Sequence, residues 1–231
     1  VLDWAWRLPF IAGGAFGLLA MVLRRQLHET PVFAQMQARR ALAAELPLKT
    51  VLRAHRGAVL LAMLLTWLLT AAVVVTLLMM PTLLQTLGVP RQEALAGNTM
   101  AIAATVVANI IAGLLADRYG AGRVLVLWSL FLGGAFAAFY AGALAGAYAP
   151  ALYLLAGWAV GLTALVPAIA VGGFPQQVRF SGLSFAYNLA YAIAGGLTPV
   201  LLSLAIRDNP AAPIHYIAAM AALGVALGLY V

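Results

Sequence analysis

Seven runs of mostly apolar residues divide the chain, at about 8–23, 58–80, 94–116, 124–141, 150–171, 183–206 and 214–231. A helix needs about 20 such residues to cross the ~30 Å hydrocarbon core of a bilayer. A water-soluble globule with this many long apolar runs would expose large apolar patches and aggregate. Composition agrees, with 65% hydrophobic and 8% charged residues, where a soluble domain carries about 25% charged. The expected fold is all-α and polytopic, with seven transmembrane helices in a lipid bilayer. Disorder, coiled coil and collagen are set aside on the same grounds. No run alternates polar and apolar residues with a period of two, which argues against a membrane β-barrel. The 22 Gly and 11 Pro fit membrane helices, which tolerate both.

The 13 Lys and Arg exceed the 6 Asp and Glu, but they lie between the apolar runs and form no nucleic-acid face. Arg24, Arg25, Arg39, Arg40, Lys49, Arg53 and Arg56 lie between the first and second runs. Arg118 and Arg123 follow the third, and Arg179 follows the fifth. The opposite side holds only Arg7, Arg91 and Arg207. Basic-rich loops stay on the cytoplasmic side, so residue 1 is expected outside and the C-terminus in the cytoplasm. The division is then 1–23 as one spanning helix, 24–57 as a cytoplasmic central loop with a helical stretch at 32–46, and 58–231 as six further helices. Val1 opens the chain without Met or a signal pattern, and the expectation is a trimmed or longer polypeptide. The absence of Cys excludes disulfide, Fe–S and Cys-zinc chemistry.

Polar side chains on spanning helices face a cavity or another helix. The first, fourth and seventh runs have almost none beyond Ser129 and are expected at the lipid-facing edge. In the sixth run Ser184, Asn188, Tyr191, Gly195 and Thr198 share one helical face, with Tyr187 beside them. In the third, Asn98, Thr105 and Asn109 recur at i, i+7 and i+11. The second offers Thr66, Trp67 and Thr70, and the fifth Trp158 and Thr163 above Pro167. For a single Ser or Thr, hydrogen bonding between helices competes with cavity lining. Asn109, Asn188 and Tyr191 together favour a cavity. The pairs Gly13 with Gly17, Gly157 with Gly161, and Gly195 with Gly196 read as close-packing sites. Pro81, Pro167 and Pro199 are expected to break or kink their helices. Asp3, Glu29, Glu45, Glu93, Asp117 and Asp208 all lie in loops or at span ends. No proton relay, voltage sensor, metal site or catalytic constellation is therefore visible at depth, and the chain is not read as an enzyme.

Three loop motifs carry a family resemblance. Gly113-Leu-Leu-Ala-Asp117-Arg118-Tyr-Gly120-Ala-Gly-Arg123 resembles the G-x-x-x-D-R-x-G-x-R-R loop of major facilitator superfamily transporters, with Gly122 in place of the first of the two final basic residues. Glu29-Thr30-Pro31-Val-Phe33 after Arg24-Arg25 is similar to the segment closing that superfamily's sixth helix. Phe174-Pro175-Gln-Gln-Val-Arg179-Phe-Ser181-Gly182-Leu-Ser184, with Trp4-Ala-Trp6-Arg7-Leu-Pro9-Phe10, resembles the metabolite:proton symporter family of α-ketoglutarate, citrate, shikimate and proline/betaine permeases.

The resemblance covers essentially the whole chain and implies helices six to twelve of twelve: one six-helix half plus one extra helix. It implies a secondary active transporter of the bacterial inner membrane. Such a protein moves a small organic acid or zwitterionic metabolite by alternating access about a midplane site. No cofactor is implied, with the proton as coupling ion. The missing N-terminal helices are expected to supply the coupling acids and the other wall of the site. Trp67, Thr70, Asn109, Trp158, Tyr187, Asn188 and Tyr191 are the expected substrate contacts. Gly113, Asp117, Arg118, Gly120, Arg123 and Arg179 are the expected cytoplasmic gate, in which Asp117 latches to a basic group or a helix N-terminus. The Tyr187-Asn188, Tyr191 and Gly195-Gly196 pattern lies nearer the organic-acid members than the betaine members. A natural half-transporter that needs a partner, or a fragment without function, stays open. A seven-span receptor fits the count but leaves the transporter-like segments to coincidence.

Overall fold

The computed structural model describes residues 2–5, 7–24 and 47–231. The Glu29-Thr30-Pro31 motif, the helical stretch at 32–46, Arg25, Arg39, Arg40 and Trp6 lie outside the described residues. The chain divides into two units, residues 1–44 and 45–231. In the first, α1 (Leu2–Ala5) precedes α2 (Leu8–Arg24), and the Arg7 guanidinium lies 6.0 Å above the Trp4 ring. The 17 residues of α2 rise about 25 Å, a little short of a full span. By itself α2 buries no residue, and Gly13 and Gly17 meet nothing within 4 Å in this unit.

The second unit begins with the short α3 (Pro47–Ala54). Six helices long and apolar enough to cross a membrane follow: α4 (Arg56–Thr86), α5 (Arg91–Tyr119), α6 (Ala121–Leu144), α7 (Pro150–Gly172), α8 (Arg179–Asp208) and α9 (Ala212–Tyr230). The seven apolar runs are thus six helices of spanning length and one shorter helix. Connections are short. Gly120 alone joins α5 to α6, at φ +92°, a conformation that a Cβ would strain.

The bundle is built from three close pairs: α6 with α9, α5 with α7, and α4 with α8. Without a hydrophobic drive inside lipid, helix pairs depend on close backbone approach and van der Waals contact. Gly157 lies directly on the Ala101 backbone, and a Cβ at Gly161 would stand 2.5 Å from the Ala108 Cβ. Gly122 and Gly228 face each other across α6 and α9, where a Cβ on either would meet the other's carbonyl oxygen at 2.6 or 2.7 Å. The residue that departs from the family's basic loop pattern is therefore a packing residue. Phe139 of α6 stacks on Tyr153 of α7 at 4.5 Å, beside a second stack within α6 between Phe136 and Tyr140 at 5.8 Å.

α6, expected at the lipid-facing edge, keeps an exposed apolar face with Leu127, Leu130 and Phe131 and buries Phe136, Phe139 and Tyr140 on the other. Conversely α5 and α8, the polar-striped helices, bury only narrow stripes within this unit. Low polarity decides where a helix is tolerated, while the large rings decide where the core forms.

Two of the three prolines act as expected. Pro81 has no N–H for the preceding turn, and the helix before it widens to a π turn at Val74–Met79. Pro167 follows a tightened 3-10 segment at Val160–Ala164. α8 runs through Pro199 unbroken.

Gly157→Val would drive methyl groups into the Ala101 backbone. Overpacking of this kind costs about 1–3 kcal/mol, so the variant should lose folded yield and thermal stability in detergent. Gly134→Ala, with nothing within 4 Å of its new methyl, should match the parent protein.

Candidate functional site

The polar residues of the bundle fall into two sets, one that joins helices and one that stays open. The stripe on α5 joins. Asn98 Oδ1 accepts from the Tyr153 hydroxyl at 2.6 Å. Thr105 Oγ1 donates toward the Gly157 carbonyl at 2.7 Å. Asn109 Oδ1 accepts from Thr163 Oγ1 at 3.0 Å and from the Ala164 N–H at 3.2 Å. Each partner lies on α7, so the i, i+7, i+11 pattern marks a helix seam. Asn109 Oδ1 thus holds the 3-10 segment that precedes Pro167 by accepting two hydrogen bonds from it.

Tyr153 does the same for the other break. Its hydroxyl also lies 3.0 Å from the Thr76 carbonyl, inside the π turn of α4. Nearby, Tyr148 lies between α6 and α7, with its hydroxyl 3.5 Å from the Glu93 carbonyl. Burial, and then the Glu93 charge, push its phenol above the ordinary value, so it is a protonated donor at neutral pH.

A third connection ties α4, α8 and α9. The Trp67 indole N–H donates to the Tyr216 hydroxyl at 3.0 Å, and Thr198 Oγ1 lies 2.8 Å from that same hydroxyl. The other two members of the expected α4 patch turn inward. Thr66 and Thr70 are fully buried, and each hydroxyl donates to a carbonyl of its own helix, Ala62 and Thr66, at 2.7 Å. Thr70 packs its methyl toward Gly195.

The open set is on α8. Tyr187 and Tyr191 stack with centroids 5.6 Å apart and planes 28° apart. Asn188 is exposed, and its amide donates only to the Ser184 carbonyl of its own helix, at 2.8 Å. Its carbonyl oxygen is open to a ligand. Trp67 is 42% exposed, and Trp158 is half-buried on α7. Of the seven expected contacts, Trp67, Tyr187, Asn188 and Tyr191 thus present accessible groups. Thr70 is fully buried and the Asn109 carbonyl oxygen is committed to the α7 seam.

At the other expected site, Gly113 is half-buried and Asp117, Arg118, Gly120 and Arg123 are exposed. The Arg118 guanidinium lies over the Tyr119 ring at 5.3 Å. Among the described residues no ion pair joins Asp117 to Arg118 or Arg123. Arg179 Nε donates to the Phe174 carbonyl at 3.1 Å, closing the α7–α8 turn.

These features meet a family signature. The model of the Major Facilitator Superfamily matches residues 1–199. The chain belongs to that superfamily. It is 33% identical to the inner membrane metabolite transport protein YhjE of Escherichia coli, over 96% of this chain and 52% of that protein. It is 27% identical to a citrate-proton symporter of Klebsiella pneumoniae, over 100% of this chain and 53% of that protein. A proline/betaine transporter of Salmonella typhimurium is 25% identical, over 99% of this chain and 48% of its own length. The chain spans about half the length of these relatives. No solved structure matches it. It is a multi-pass membrane protein of a transporter family, and its relatives are not enzymes.

Sequence reasoning missed Tyr153 and Tyr216 as connectors. Both were legible in principle, because a Tyr deep in a spanning helix needs a partner for its hydroxyl. Asn109→Ala would leave the Ala164 N–H and the Thr163 hydroxyl without their acceptor, a loss of about 1 kcal/mol in a membrane bundle. Its thermal midpoint in detergent should fall below that of Asn188→Ala, whose amide joins no second helix.

Proposed function

We propose that this chain is the helix six-to-twelve part of a twelve-helix secondary transporter. It moves a small organic acid or zwitterionic metabolite across the bacterial inner membrane by alternating access, coupled to proton symport. The observation that carries the reading is the open face of α8, where the stacked Tyr187 and Tyr191 flank the unfilled Asn188 carbonyl. Aromatic faces attract an alkylammonium, and phenol and amide groups hydrogen-bond a carboxylate. Trp67 and Trp158 belong to the proposed set as further aromatic faces, while Thr70 packs toward Gly195 and Asn109 holds α7. Relatives named for citrate and for proline and betaine bracket this chemistry. A polycarboxylate needs an Arg or Lys that this wall does not contain, and the N-terminal helices of the whole protein are the expected source. The preference within the class is for an organic acid.

The gate is Gly113, Asp117, Arg118, Gly120, Arg123 and Arg179 at the cytoplasmic ends of α5, α6 and α8, with the C-terminus on the same side. The Asp117 carboxylate is free to engage when the two halves close. This is the expected behaviour of a latch that is made in one conformation and broken in the other.

The test is uptake of labelled candidate metabolites by cells or proteoliposomes containing the full-length protein, with and without a proton gradient. Uptake that ignores the gradient contradicts symport. Removing one aromatic face, as in Tyr191→Ala, should raise KM about fivefold, for a contact worth about 1 kcal/mol. An unchanged KM in both Tyr187→Ala and Tyr191→Ala rules out this wall as the site. Asp117→Asn should stop uptake without loss of folded protein, and normal uptake by that variant removes the latch.

A further inference from the structure

Trp67 is the member of the proposed substrate set whose orientation is decided outside α8. The indole N–H is its only polar side-chain group, and it donates to the Tyr216 hydroxyl of α9 at 3.0 Å. Thr198 Oγ1 of α8 lies 2.8 Å from the same oxygen. One phenol oxygen therefore meets a side chain from each of two other helices.

Contacts one turn away locate Trp67 beside the open face of α8. Thr70 follows Trp67 by one turn of α4. Its methyl lies 3.6 Å from where a Cβ on Gly195 would stand, and Tyr191 Cδ1 lies 3.5 Å from the same point. Gly195 is one turn of α8 from Tyr191 and one from Thr198. The contacts at Gly195 and at Tyr216 thus fall on successive turns of both helices, with the Tyr191 ring against the first.

The position of Tyr216 is set away from that face. α9 packs chiefly on α6 and touches α8 over only a short stretch. Gly228 meets Gly122 across the α6 contact, and Gly224 lies directly on the Ser129 side chain. Tyr216 therefore reaches Trp67 from a helix held by α6. Trp67 itself is 42% exposed, so packing covers only part of the ring. The hydrogen bond fixes the remaining rotation, and it leaves Trp67 a ring face to offer in place of a donor.

We propose that Tyr216 is a positioning residue of the substrate site, whose hydroxyl orients the Trp67 indole beside the α8 face. This rests on the reading of that face as the substrate wall. Tyr216 acts through Trp67. A contact with an aromatic face depends on how the ring is turned. Loss of the hydroxyl therefore weakens substrate binding while every group assigned to touch substrate stays in the chain.

The test uses the full-length protein labelled with 5-fluorotryptophan, with the Trp67 fluorine resonance assigned by its absence from Trp67→Phe. In Tyr216→Phe that resonance should move or split while those of Trp128 and Trp158 stay in place, which also controls for folding. An unmoved Trp67 resonance overturns the proposal. Uptake into proteoliposomes is then measured with labelled citrate and labelled proline. Tyr216→Phe should raise KM about threefold, the effect of one hydrogen bond between membrane helices, with kcat kept. Trp67→Phe keeps a ring without the N–H, and in that background Tyr216→Phe should raise KM no further. Equal increases in both backgrounds overturn the proposal, because a merely structural tyrosine acts whatever stands at Trp67. An unchanged KM in Tyr216→Phe, where Tyr191→Ala raises it, overturns the proposal and leaves the wall standing. An unchanged KM in Tyr216→Phe, Tyr187→Ala and Tyr191→Ala alike removes the wall and the positioning role together. If the unmodified protein takes up neither probe, that failure belongs to the transport reading, and the fluorine resonance alone decides for or against Tyr216.

Discussion

In hydrocarbon there is no water to receive a polar group that the backbone has released. The rest of this bundle follows from that constraint. Pro81 and Pro167 interrupt two spanning helices, and each interruption leaves backbone groups short of their usual partners. Tyr153 reaches the Thr76 carbonyl at the first break. Asn109 takes the Ala164 N–H at the second. The first contact comes from α7 and the second from α5, and Tyr153 also meets Asn98 of α5, so α4, α7 and α5 are linked in series. The π turn and the 3-10 segment are thus fixed features of the packing, with hydrogen bonds that set where each helix bends.

The small residues follow the same logic. The Thr105 hydroxyl can reach the Gly157 carbonyl only because Gly157 lets α7 lie on Ala101. A larger residue would separate the helices and strand the hydroxyl. Close approach and polar pairing are one device here, since each needs the other. The Gly122–Gly228 contact brings α6 and α9 together by close approach alone, at a position where a basic residue would hold the helices apart.

Much of this was legible in the sequence. Run length and the sparse charges pointed to the spanning helices, and the Gly157 and Gly161 spacing to a close contact. Other features were not legible. The ring core on the inner face of α6 depends on Phe139 stacking with Tyr153 of α7, a tertiary property that the low polarity of the run does not reveal. Thr66 and Thr70 looked like a cavity patch because a threonine that bonds to its own helix has the same spacing as one that lines a channel.

What separates a seam from a site is register between helices. Asn98, Thr105 and Asn109 meet Tyr153, Gly157 and Thr163 in the same order along two helices. A polar series that rises in step with another on the next-but-one span therefore reads as a parallel seam. Ser184, Asn188 and Tyr191 have no such counterpart. Among the described residues the Asn188 amide bonds within α8, and the two tyrosines bond ring to ring. A polar face in hydrocarbon that no neighbouring helix answers is costly unless something outside the helix answers it. The proposed substrate face rests on this cost.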